Sequence, residues 1–262
     1  KIMLHHEISG NGKKPLVLLH GFMENTTIWD EMEAHLSKDF TLIKIDLPGH
    51  GKSKVYQEIH TVELMAEKVK EVIDALKLEK INLLGHSLGG YVSLAFAEKF
   101  PEILESMTLF FSTTVADDEE KKAIRRRSIA VIDENFETFV KTSIPNLFSN
   151  NEKDILEGKI ELAKNIAKST DKEGVKAAQL GMAERPDRTE ILENLDAKIL
   201  IIAGKYDNAV KTENLLKIIP EKTNIKTYVL DCGHNGHWEK PTICAEIINT
   251  ELFHNLPKHF LL

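Results

Sequence analysis

The sequence predicts an α/β fold, a mostly parallel, doubly wound sheet with an inserted helical cap. Short runs rich in Val, Ile and Leu alternate with longer amphipathic stretches up to residue 112, the strand signal vanishes from about Thr113 to Asn194, and the alternation then resumes. Buried strands alternating with helices imply parallel pairing through right-handed crossovers.

Taken in order, Ile2 to Ser9 reads as a strand ahead of the Gly10-Asn11-Gly12 turn. Leu16 to His20, Thr41 to Asp46, Ile81 to Gly85 and Ser106 to Phe111 are apolar runs of strand length. Thr61 to Leu78 has helical spacing at Val62, Met65, Ala66, Val69, Val72, Ile73 and Leu76, and Leu88 to Phe100 is a helix stopped by Pro101. The middle segment reads as four helical pieces separated by Pro145, Asn150 to Asn151 and Ser169 to Asp171. Lys198 to Ala203 and Ile225 to Leu230 are then strands, and Thr212 to Ile219 and Thr242 to Phe253 helices.

A crossover takes a single helix of about 10 to 15 residues, so roughly 65 to 70 residues between the two sheet halves are surplus. This gives a core of residues 1–112 and 195–262 and a helical cap at 113–194 lying over one edge of the sheet. At 262 residues the chain can bury a core without staples.

The 34 basic and 41 acidic residues give a net charge of −7, which does not suit a nucleic-acid partner. Arg125 to Arg127 follow Asp117, Asp118, Glu119 and Glu120, an order that suits a helix dipole and reads as a solvated face. Asp117 and Asp118 look like helix caps. Cys232 and Cys244 are too few for a disulfide framework and read as buried thiols. No apolar stretch approaches the ~20 residues of a membrane span. The absence of a charged-then-apolar leader points to the cytoplasm, although a chain opening on Lys1 leaves a removed leader open. The Phe260-Leu261-Leu262 tail is a candidate for docking on its own chain or a neighbour's, so monomer and homodimer both stay open.

Two glycine motifs fail as nucleotide sites. Gly49-His50-Gly51-Lys52-Ser53 has Asp46 where a phosphate loop needs its first Gly, and Gly10 and Gly12 precede a strand where a dinucleotide fingerprint follows one.

Gly85-His86-Ser87-Leu88-Gly89-Gly90 sits where a predicted strand gives way to a predicted helix. A serine at so sharp a turn takes a strained backbone conformation that lifts its hydroxyl over the strand end, and side chains two residues before and after it would collide. A serine hydroxyl needs a base, and the base needs an orienting carboxylate. Parallel topology puts these at the carboxyl ends of later strands. The loop after Lys198 to Ala203 offers Asp207, and the loop after Ile225 to Leu230 offers His234.

This Ser, Asp, His order resembles capped members of the α/β-hydrolase fold family, and the resemblance covers essentially the whole chain. His20-Gly21-Phe22-Met23 is similar to that family's oxyanion loop, Asp46-Leu47-Pro48-Gly49-His50-Gly51-Lys52-Ser53 to its loop after the following strand, and Gly233-His234 with Glu239 and Pro241 to its histidine loop. The resemblance implies Ser87 as nucleophile, His234 as base and then acid, and Asp207 as its orienting carboxylate. The oxyanion donors would be the backbone N–H groups of Phe22 and Leu88. It further implies hydrolysis of small to medium carboxylic esters through an acyl-enzyme, with no metal or organic cofactor and a small-molecule ester as partner. Carbon–carbon bond, lactone or thioester hydrolysis, acyl transfer, and ligand reception on the same scaffold stay open, because the cap decides between them.

His237 is a rival base, though its spacing to Glu239 and Pro241 misses the family pattern. His234 with His237 lacks a third metal ligand nearby. Asp117 and Asp118 are alternative sources of the acid, and His50 and His86 read as structural. Met23, Phe136, Phe139, Ile144, Phe148 and Met182 are candidates for the substrate pocket. Arg185 and Arg188 either receive a substrate carboxylate or, if Asp187 and Glu190 form a capping box, lie exposed.

Overall fold

The protein is described by a computed structural model covering residues 2–253. Its strands are β1 (His6–Ser9), β2 (Lys14–Leu19), β3 (Phe40–Ile45), β4 (Ile81–His86), β5 (Leu104–Phe110), β6 (Lys198–Gly204) and β7 (Ile225–Leu230). They form one sheet in the order β1-β3-β2-β4-β5-β6-β7, antiparallel only at β1 with β3. β1 is shorter than the Ile2 to Ser9 expected, and its pairing starts where His6 faces Ile45.

Alternate side chains of each strand enter two apolar layers, as the period of two requires. Val17, Leu19, Ile43, Leu83, Leu109 and Ile201 pack beneath helices α2 (Val62–Ala75) and α3 (Leu88–Lys99). Leu16, Leu18, Leu42, Leu84, Phe110 and Ile202 pack on the other side. There they meet Trp29, Met32 and Ile248, from a 3-10 turn (Thr26–Trp29), α1 (Asp30–Glu33) and α11 (Pro241–Phe253). The turn and α1 have no counterpart in the sequence reading, since two four-residue pieces are too short to show a helical period. Thr61 starts α2 by accepting from the Leu64 N–H at 3.1 Å.

Between β5 and β6 the described residues form only helices: α4 (Glu119–Glu134), α5 (Phe136–Ser143), α6 (Glu157–Ser169), α7 (Lys172–Glu184) and α8 (Glu190–Asn194). Breaks fall at Pro145, Asn150 and the Ser169–Asp171 region as expected, with further ones between Glu184 and Glu190 and at Asn135, whose side chain caps α5 through the Thr138 N–H at 3.1 Å. The remaining helices are α9 (Thr212–Ile218) and α10 (Gly236–Glu239). The Phe260-Leu261-Leu262 tail lies outside the described residues. Among those described, no helix is long and apolar enough to cross a membrane.

Charged residues that the sequence reads as solvated turn out to tie this helical segment to α2 and α3. Arg185 and Arg188 are each 5% exposed, not exposed as the capping-box reading implied. The Arg185 guanidinium lies 3.8 Å over the Tyr91 ring on α3 and donates to Asp117 at 2.9 Å and to two backbone carbonyls. Arg188 donates to Glu63 on α2 at 2.8 Å and to Glu98 on α3 at 3.3 Å. Asp187 accepts from the Thr189 N–H at 2.8 Å, but the residue preceding α8 is Thr189. Asp118 caps α4 through the Lys121 N–H at 2.7 Å, whereas Asp117 is a buried ion-pair partner.

Removing one member of a buried pair leaves the other charge uncompensated. Arg185→Met is therefore expected to lower the unfolding free energy by about 3 kcal/mol. Urea denaturation would measure this, and a change within a few tenths would show that Asp117 is satisfied without Arg185.

Candidate active site

The residues singled out by the sequence converge at the carboxyl ends of the parallel strands. β4 ends at His86 and α3 begins at Leu88, so Ser87 alone makes the turn, with φ 49° and ψ −110°. A non-glycine residue there costs of order 1–3 kcal/mol and persists only where its surroundings hold it. The Ser87 N–H donates to the Phe110 carbonyl at 3.0 Å, and the Ser112 hydroxyl donates to the Ser87 carbonyl at 2.8 Å.

The two flanking glycines are required for different reasons. A Cβ on Gly85 would lie 2.1 Å from the Gly89 carbonyl oxygen, the collision across the turn that the motif implies. A Cβ on Gly89 would instead lie 2.3 Å from the Leu19 carbonyl oxygen at the end of β2.

Asp207 lies in the loop after β6 and His234 in the loop after β7. His234 Nδ1 is 2.8 Å from Asp207 Oδ2, with both side chains buried. The other Asp207 oxygen accepts from the Ala209 and Val210 N–H groups at 2.8 and 2.9 Å. A carboxylate can only accept, so Nδ1 carries the proton and Nε2 is left as the basic nitrogen. Glu239 shapes the loop by accepting from the N–H groups of Gly233, Asn235 and Ser149 at 3.0 to 3.2 Å. The His234 N–H donates to the Leu147 carbonyl at 2.8 Å, which links the loop to the helical segment.

Ser87 and His234 both line a cavity of about 340 Å³ between the strand ends and α4–α7. Of the candidate pocket residues, Met23, Phe139, Ile144 and Met182 border it. Phe136 and Phe148 do not. Phe148 is fully buried, with its ring 6.1 Å from that of Trp238, and Phe136 stacks behind Phe139 at 6.5 Å. Helical spacing identifies a buried face without saying which layer of it meets the cavity. Phe22 lines the cavity, and Leu88 supplies the first N–H of α3, which has no acceptor within the helix.

A buried cluster beside the pair escaped the sequence reading. His86 Nδ1 is 2.6 Å from Glu24 Oε1, and His86 Nε2 is 2.9 Å from the His234 carbonyl oxygen. Glu24 also accepts from the Gly21 N–H at 2.6 Å. Burial opposes a charge on His86, but the Glu24 carboxylate outweighs it and raises the pKa above the ordinary histidine value. Burial likewise disfavours the Glu24 charge, and the neighbouring His86 overcomes it, holding that carboxyl well below the usual range. His86 thus donates at both nitrogens and bridges the Gly21–Glu24 loop to the His234 loop.

His237, the rival base, is fully buried and in contact with the rings of Trp29, His86 and Trp238. Its Nε2 is 3.0 Å from Glu24 Oε2, an ion-pair separation without the alignment of a hydrogen bond. Burial lowers its pKa to about 4. The third ligand-type group near it is not in the sequence neighbourhood of His234: Glu24, His86 and His237 place donor atoms within 4.8 Å of one another. Cys232 and Cys244 are free, and burial pushes both thiols far above the range of a reactive thiolate.

His20 and His50 support the loop bearing Phe22. His20 Nε2 accepts from the Leu47 N–H at 2.9 Å, so its proton sits on Nδ1 and is donated to the Gly21 carbonyl at 2.7 Å. Burial lowers His20 to about 4 and His50 to about 3.

The sequence profile of the alpha/beta hydrolase fold family matches residues 14–241. The chain belongs to that family. This alpha/beta hydrolase is similar to a thermophilic esterase from Thermogutta terrifontis, solved with malate bound, at 33% identity and a TM-score of 0.88, covering 95% of this chain and 92% of that one. It is also 27% identical to a putative 2-succinyl-6-hydroxy-2,4-cyclohexadiene-1-carboxylate synthase of Bacillus subtilis, covering 91% of this chain and 90% of that protein. A 2-hydroxy-6-oxononadienedioate/2-hydroxy-6-oxononatrienedioate hydrolase of Escherichia coli K12 is 26% identical, with 91% and 86% covered. An uncharacterized Mycobacterium tuberculosis protein is 34% identical over 111 residues, so that this chain spans 32% of its length.

Two outcomes are expected of the site's physics. Gly85→Ala should destabilise the protein by about 3 kcal/mol or more in chemical denaturation, because the new methyl meets backbone that cannot yield. His20, His50, His60 and His237 have native pKa values below the ordinary 6.5, so the unfolded state binds more protons and stability is lost as pH falls from 6.5 towards 4. His86, raised, acts oppositely: its contribution is full below 6.5 and fades as pH rises through its native value. With four histidines against one, the thermal midpoint should drop on acidification from pH 6.5 to 4.5. A flat or rising midpoint would contradict the neutral state of those four histidines.

Proposed function

We propose that this alpha/beta hydrolase is a serine esterase acting on small to medium acyl esters, with Ser87 as nucleophile, His234 as general base and Asp207 as its orienting partner. The observation that carries the proposal is the lone strained turn residue Ser87 on the wall of a cavity shared with a histidine whose other nitrogen is held at 2.8 Å by a buried carboxylate. A cavity of about 340 Å³ lies at the low end for small-molecule sites, which favours short substrates.

In this reading residues 113–194, with helices α4–α8, are the cap. Ser87 Oγ attacks the ester carbonyl carbon while its proton passes to His234 Nε2, and Asp207 steadies the imidazolium. The negative charge on the former carbonyl oxygen is met by the N–H groups of Phe22 and Leu88, each worth about 3 to 4 kcal/mol in the transition state. The alcohol leaves with the proton from His234. Water then gives a proton to the same nitrogen, attacks the acyl carbon and frees Ser87. Glu24 and His86 touch no substrate in this scheme and act by holding the two loops together.

A second reading, hydrolysis of a carbon–carbon bond beside a ketone, is favoured by the Escherichia coli relative, which is named as a hydrolase of oxo dicarboxylates. The same triad serves it, with a carbanion equivalent leaving in place of the alkoxide.

The test is labelling with a fluorophosphonate probe alongside hydrolysis of para-nitrophenyl esters of increasing acyl length. Labelling should map to Ser87 and both signals should vanish in Ser87→Ala. Asp207→Asn should lower kcat by about ten-thousandfold through the wrong imidazole tautomer. Absent labelling, or turnover that survives Ser87→Ala, would refute the serine mechanism, while labelling with turnover only of a vinylogous diketone would select the second reading.

A further inference from the structure

The cavity carries a concentration of positive charge that the acyl-transfer scheme does not use. Lys121 and Arg125, one turn apart on α4, both line it. The only carboxylate among the described lining residues is Glu24, which His86 already holds. Asp117 is the shared partner of Arg125, Arg185 and, at 3.9 Å, Lys121, so one negative charge faces three positive ones. This local excess runs against the chain's net charge of −7.

The roles within the group differ. Arg185 is spent on Asp117, two backbone carbonyls and the Tyr91 face. Arg125 is only partly spent: Nε donates to Asp117 and Nη1 to Gln179 Oε1 at 2.9 Å, while Nη2 has no partner among the described residues. Gln179, 6% exposed, also donates to the Ser128 hydroxyl at 2.9 Å, so the planar guanidinium is held at two of its three nitrogens. Its side chain is 14% exposed on the wall of a cavity. A pre-oriented guanidinium with a free Nη2 in a largely apolar cavity suits a carboxylate, to which it can give a charge-assisted hydrogen bond.

We infer that Arg125, with Lys121 beside it, is an anion subsite and that the substrate is a small carbonyl compound bearing a second, ionised carboxylate, such as the monoester of a short dicarboxylic acid. The inference rests on the serine-hydrolase reading and narrows its substrate class. Hydrolysis adds water across the acyl C–O bond, giving the alcohol, the dicarboxylate and one proton, with the distal carboxylate unchanged throughout. Arg125 is here a specificity residue that touches substrate away from the reacting atoms.

The test compares monomethyl glutarate with dimethyl glutarate, which differ by one charge, and adds calorimetric binding of glutarate itself, which needs no turnover. The wild type should favour the monoester in kcat/KM. Arg125→Gln should lower kcat/KM for the monoester about ten- to a hundredfold, the range of a charge-assisted hydrogen bond, and change the diester less than about threefold. Arg125→Lys should keep part of the preference, and glutarate affinity should fall with Arg125→Gln. Asp117 retains Arg185 in these variants, and circular dichroism would check their folding. If Arg125→Gln is unfolded, Lys121→Met is read in its place. A wild type that favours the diester, or variants that lower both esters equally, would overturn the inference. If Ser87 fails to label and neither ester turns over, the serine mechanism falls. Glutarate binding then decides the subsite alone, and no binding, or binding that Arg125→Gln leaves unchanged, overturns it.

Discussion

Ser87 stands in a backbone conformation that an isolated chain avoids, and the surrounding structure is arranged to hold it there. Its N–H is taken by Phe110, its carbonyl by Ser112, and the backbones of Gly85 and Gly89 pass too close for any side chain between them. Strain of about 1–3 kcal/mol is small against the burial of the sheet on which it rests. The serine is therefore placed by β2, β4 and β5 together, and its orientation does not depend on the mobility of any one loop. Phe111, immediately after β5, also has a positive φ, 52°, so the two neighbouring strand ends both turn sharply at this point.

Around that fixed point the loops are joined by buried polar groups. Glu24 and His86 connect the loop after β2 to the loop after β7, while Glu239 connects the latter to Ser149 in the helical segment. Each carboxylate accepts several N–H groups, which is what makes a buried charge tolerable. Such a network ties the distance between Phe22 and His234 to the integrity of a few hydrogen bonds. The two loops carrying the proposed oxyanion donor and base thereby become one unit.

The helical segment α4–α8 is joined to the core by charge as much as by apolar contact. Arg188 reaches α2 and α3, and Arg185 lies on Tyr91. Asp117 then holds Arg185 and Arg125 together, so the ion pair that docks the segment also sets the electrostatic character of the cavity wall. Docking and substrate preference share residues in this arrangement.

Much of this was legible in the linear sequence because it depends on local periodicity and on backbone geometry. The alternation of apolar strands with amphipathic helices, the surplus of helix after β5, and Gly85 and Gly89 around Ser87 all follow from rules acting over a few residues. The order of loops bearing Ser87, Asp207 and His234 follows from parallel topology. The partners of buried charges do not. Arg125, Arg185 and Arg188 read as a solvated face and an exposed helix start because a charge pattern reports helix registry, not what another helix brings to meet it. Glu24, 62 residues from His86 in the chain, has no local signature. Phe136 and Phe148 have the spacing of pocket residues, yet the packing of α5 against its neighbours turned Phe139 and Ile144 to the cavity instead. The sequence by itself determined the architecture and the strand ends at which the proposed reactive groups stand, since these depend on short-range sterics and hydrophobic period. Only the tertiary structure decided which charges are buried, how they pair and what the cavity presents to a ligand, because electrostatic and packing partners are chosen by distance in space.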